Sequence, residues 1–97
     1  MLASSPDSRP GIDLDAIEAR LLALVAERGP DKSICPSDVA RAMAGTDTAA
    51  WGPLMTPIRK IAVRLASEGR IVILRKGKPV DPLDFKGVYR LSLPRSD

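Results

Sequence analysis

An α+β fold, with helices first and a small antiparallel sheet last, is predicted by three observations in this 97-residue chain. Apolar residues recur at helical spacing through the first two thirds. A β-branched run, Ile71-Val72-Ile73-Leu74, follows Gly69 and changes the period. An alternating segment, Val88-Tyr89-Arg90-Leu91-Ser92-Leu93, then returns and closes at Pro94. At about 100–150 residues per typical domain the chain holds one domain. Residues 1–11 carry Ser, Pro and Gly without apolar periodicity and are expected to be a mobile tail; the domain is expected over residues 12–94.

The first helix starts at Asp13, a good N-cap, with Ile12 and Ile17 at the spacing of a hydrophobic staple. Leu14, Ile17, Leu21, Leu24 and Val25 make its apolar face. Arg28 suits the negative end of the helix dipole, and Gly29-Pro30 ends the element. Ser33-Ile34-Cys35 is extended, with room for a single sheet pairing. Pro36 fits the first position of a second helix, where its missing N–H costs nothing. Asp38 falls in that first turn, Val39, Ala42 and Met43 form the expected stripe, and Gly45 stops it.

Thr46-Asp47-Thr48 reads as a polar loop leading to Trp51-Gly52-Pro53. The third helix either opens at Pro53 with Pro57 in its first turn, or begins at Pro57 after a Thr56 cap. In both cases Ile58, Ile61, Ala62 and Leu65 face inward, and Gly69 is the stop. Arg70 to Arg75 is a strand by composition and length. Lys76-Gly77-Lys78-Pro79 is expected as a turn, followed by an irregular excursion from Val80 to Gly87 and the returning strand. Helix, short strand, helix, helix, strand, long turn, strand is the order of a winged helix-turn-helix: three helices plus a small antiparallel sheet with a β-hairpin wing.

Three separated blocks carry a resemblance in the same order. Ile34-Cys35-Pro36-Ser37-Asp38-Val39-Ala40-Arg41, then Trp51, then Arg75-Lys76-Gly77-Lys78-Pro79-Val80-Asp81-Pro82 resemble a family of small bacterial domains of unknown function. The resemblance runs from about Leu14 to Leu93. It implies a winged-helix-like fold and no established activity.

Composition removes several classes of function. A hydrophobic share of 44% suits a globular core and is too high for a disordered chain. No run approaches the ~20 apolar residues of a membrane span, so no membrane partner is expected. The first residues lack a basic region followed by an apolar stretch, and Cys35 is the single cysteine; both fit a cytoplasmic protein. There is no His, which removes the usual general base and the commonest metal ligand, so neither a metal nor a cofactor is expected. Trp51, Phe85 and Tyr89 are too few rings for a sheet that stacks several bases.

Charge is distributed unevenly. Up to Ala50 the chain has five basic and eight acidic residues, net −3; beyond it, ten and four, net +6. The positive charge therefore lies on the third helix and the hairpin, the elements a winged helix presents to DNA. At 100° per residue Lys60 and Ser67 point away from the core face, with Arg59 on one flank and Arg64 on the other. Arg75, Lys76, Lys78 and Lys86 gather on and around the turn. A solvated helix face is the plainer account of Arg59, Lys60 and Arg64 alone; the hairpin cations tilt the set toward phosphate binding. Asn and Gln are absent, so the usual adenine reader is missing and low intrinsic sequence specificity is expected.

The other candidates point to structure. Cys35 precedes a helix but has no His to activate it, and reads as a small buried residue on a strand. Asp81 and Asp84 suit turn formation. Lys76-Gly77-Lys78 precedes no helix and is not a phosphate-cradling loop. Trp51 fits a cap on the core. No catalytic constellation emerges, so an enzyme is not expected. Two readings remain: a nucleic-acid-binding module, with DNA as the expected partner, its third helix at the groove and its wing on phosphates; and a protein-interaction module. The second is motivated by the missing amides and by Leu22, which lies off the apolar line of the first helix. It would pair as a homodimer or with another protein.

Overall fold

A computed structural model describes residues 13–29 and 32–94, so the expected tail and the Ile12 half of the staple lie outside the described residues. The first helix, α1 (Leu14–Arg28), is capped by the Asp13 carboxylate, which accepts from the backbone N–H of Asp15 and Ala16. Ile17, Leu21 and Val25 bury its inner face, while Leu14 stays 45% exposed in the first turn. Leu22 is half-buried and packs against the core, so it is not the free apolar residue the interaction reading relied on. Helix α2 (Pro36–Ala44) opens on Pro36, and the Asp38 carboxylate reaches back to the Cys35 N–H at 2.9 Å. Its buried stripe is Pro36, Val39 and Ala40, with Met43 half-buried; Ala42 is exposed, because a stripe through Pro36 and Ala40 leaves it on the outer side.

The third helical stretch begins earlier than the two prolines suggested. Asp47 accepts from the Ala49 N–H and starts a single turn, α3 (Thr48–Trp51). A 3-10 turn (Gly52–Leu54) follows and runs directly into α4 (Met55–Ser67). Pro53 and Pro57 each stand near the start of a helical segment, where an N–H is not needed. Ile58, Ile61, Ala62 and Leu65 of α4 are buried as expected. Helix α1 packs on α2 and α4, and α2 packs on α4.

The sheet has three antiparallel strands in the order β2-β1-β3: β1 (Val72–Arg75), β2 (Lys78–Pro79) and β3 (Arg90–Ser92). The turn is tighter than expected. Only Lys76 and Gly77 form it, at φ 54° and 81°, the two positive values of a type I′ hairpin, and the right twist for closing two strands. Arg75 then pairs with Lys78 and Leu74 with Pro79, which tolerates the edge because no ladder N–H is required there. On the other side of β1, Ile73 pairs with Leu91. Ile34 makes the single pairing foreseen for it, exchanging two 2.8 Å hydrogen bonds with Leu91. The returning strand is shorter than its alternation suggested: Val88 is 80% exposed and outside β3. With α4 packed against β1, the helices and this sheet make an α+β fold consistent with a winged helix-turn-helix. No helix among the described residues is long and apolar enough to cross a membrane.

Candidate nucleic-acid interface

The eight polar residues singled out from sequence divide into two groups. Arg59, Arg64 and Arg75 are committed to partners inside the molecule. Lys60, Ser67, Lys76, Lys78 and Lys86 are exposed, and none of the four lysines has a carboxylate within ion-pair distance among the described residues.

Arg64 leaves α4 toward α1, where its guanidinium bonds the Glu18 carboxylate, and it also meets Glu68 at 3.2 Å. Arg70 reaches the same Glu18 at 3.2 Å. The Arg64 hydrogen bond holds the Glu18 carboxyl below its ordinary pKa, with Arg70 adding to the effect. A cation shared between two carboxylates has little net charge to offer a phosphate, so the expected flank contact at Arg64 is replaced by an interhelical tie.

Arg59 goes the other way. Its guanidinium lies 4.1 Å from the Phe85 ring centroid and 5.6 Å from that of Tyr89, and it donates to the Phe85 carbonyl at 3.0 Å. The two rings meet edge to face at 5.1 Å, and burial pushes the Tyr89 hydroxyl above its ordinary pKa. Arg75, at the end of β1, donates from Nε to the Val88 carbonyl at 2.9 Å. The loop between β2 and β3 is therefore held from α4 at Phe85 and from β1 at Val88.

These ties decide which cations share a neighbourhood. Lys78 stands directly opposite Arg75 and so lies on the same face of the hairpin. Lys76 forms the turn beside it, and Lys86 lies in the loop that Arg75 grips. Lys60 follows Arg59 on α4, next to the residue that holds Phe85. On α4, Thr56, Lys60 and Ser67 are all exposed and fall within about 40° of one another at 100° per residue. Thr56 reads from sequence as a cap, but its spacing from Lys60 and Ser67 places it on the outer line. Leu83 and Val88, 78% and 80% exposed, are two further surface features of the loop, the second concealed by the alternation that begins at Val88.

The remaining candidates are structural. Cys35 is half-buried at the N-terminus of α2 and accepts from the Ser37 hydroxyl at 3.0 Å, so it ends the extended segment instead of lying buried within it. The Asp81 carboxylate accepts from the Leu83 N–H at 2.9 Å, as a turn former does. Trp51 packs half-buried against the core with the Arg41 guanidinium 5.5 Å from its ring, and Arg41 is in turn paired with Asp38 at 2.6 Å.

Helices and a β2-β1-β3 sheet with cations gathered at one hairpin define a small α+β domain. The chain belongs to the family described as "Protein of unknown function (DUF3253)", whose model matches residues 14–94. Among curated proteins the comparison finds no match.

Proposed function

We propose that this is a winged-helix module that binds duplex DNA through its phosphate backbone, with little sequence reading and no catalysis of its own. The observation that carries the reading is the pair of arginine ties: they hold the loop that carries Lys86 against Arg75 of the hairpin on one side and against Arg59 of α4 on the other. In this reading α4 approaches a groove with Thr56, Lys60 and Ser67, while Lys76, Lys78 and Lys86 of the wing face phosphates. Arg64 takes no part. Without Asn or Gln, and with Arg59 turned inward, bidentate base contacts are scarce. Titrating a labelled duplex at roughly 50 and 200 mM salt tests it: three phosphate contacts from the wing lysines give a slope of about −2.7 in log K against log salt. Absence of binding at the lower salt removes the reading.

The exposure of Leu83 and Val88 supports a second reading, docking of a partner protein on the loop. Both belong to the loop between β2 and β3, and the reading requires that they form one contiguous apolar patch.

A further inference from the structure

Two arginines from different elements hold the same five residues, Phe85 to Tyr89. From the α4 side Arg59 covers both aromatic rings and bonds the Phe85 carbonyl; from the β1 side Arg75 bonds the Val88 carbonyl. Between the two grips stands Lys86, exposed, on a backbone that turns at Gly87 with φ 85°. A Cβ at Gly87 would lie 2.9 Å from the Arg75 guanidinium and displace that flexible end, and the positive φ itself disfavours any side chain there. Phe85 and Tyr89 are 9% and 7% exposed, so both ends of the segment are anchored in the core while its middle faces water.

A lysine on an unanchored loop loses conformational freedom when it meets a phosphate, and that loss opposes binding. Here the ordering has been done in advance by the fold. We infer that residues 85–89 form a preset finger that presents Lys86 to a backbone phosphate of the nucleic acid, and that Arg59 and Arg75 are positioning residues acting through Lys86. This inference rests on the nucleic-acid reading and deepens it, because it moves two of the three arginines expected on phosphates into a supporting role.

The distinction is measurable because one variant breaks the grip without altering any charge. Lys86→Ala removes one phosphate contact and is expected to flatten the salt slope by about 0.9. Gly87→Ala leaves every cation in place, yet is expected to weaken binding at fixed salt by roughly 2- to 12-fold, the ordering cost of one side chain, and to cost nothing further in the Lys86→Ala background. Arg75→Lys, which keeps the charge but loses the planar Nε geometry, is expected to behave as Gly87→Ala does and guards against a folding failure at Gly87. Arg59→Ala combined with Lys86→Ala is expected to lose about 0.9 in slope; a loss near 1.8 means that Arg59 touches a phosphate itself and overturns its positioning role. Wild-type binding with Gly87→Ala and Arg75→Lys both unchanged overturns the finger alone. No retention of duplex by the wild type removes the nucleic-acid reading together with the finger.

Discussion

Glu18 shows how far one side chain redirects the surface charge. It lies on α1 and accepts from both Arg64 and Arg70, so two cations from the basic half of the chain are drawn to the acidic half. Its carboxyl is held low by the Arg64 hydrogen bond, and this has a consequence of definite sign. A carboxyl with a depressed folded pKa contributes stability above its unfolded value, roughly pH 4.3, and loses it as pH falls through the folded value. Glu18→Gln is therefore expected to make the decline of Tm below about pH 4.3 shallower than in the wild type, with thermal melts across that range as the measurement. An equally steep decline in the variant means that other carboxylates account for the acid sensitivity. The pairing of Glu18 with Arg64 had no signature in the sequence, since the two are separated by 46 positions and belong to no common period.

At the scale of elements, α1, the start of α2 and the single pairing of Ile34 were legible because caps and apolar spacing are local properties. The third helix was less so. Gly52-Pro53 looks like a break, yet the chain passes through it as a 3-10 turn, since Pro53 occupies a position where no N–H is required. The hairpin departs from its composition for a similar reason. Lys78-Pro79 has turn composition, but pairing with Leu74 and Arg75 makes it an edge strand. What sets that register is the type I′ turn, so Gly77 at φ 81° is the sensitive position. Gly77→Ala is expected to destabilise the protein by about 1–2 kcal/mol, the cost of a left-handed non-glycine residue, as measured by denaturant unfolding. A neutral result means that the turn relaxes to another type.

For the molecule as a whole, the two functional readings separate by charge. Reversing Lys76 and Lys78 to Glu changes the net charge of the hairpin by four units. The K76E/K78E protein is expected to lose duplex retention at about 50 mM salt, where backbone contacts are strongest. If the loop instead docks a protein through Leu83 and Val88, the variant keeps its state of association in light scattering and the wild type shows no duplex binding. The sequence by itself determined the order of the long helices and of β1 and β3, the α+β class and the imbalance of charge between the two halves, because each follows from neighbours along the chain. Only the tertiary structure decided which cations stay available: carboxylates, carbonyls and ring faces that meet Arg64, Arg75 and Arg59 arrive from distant stretches of chain, and a guanidinium bonds whatever the fold brings within reach.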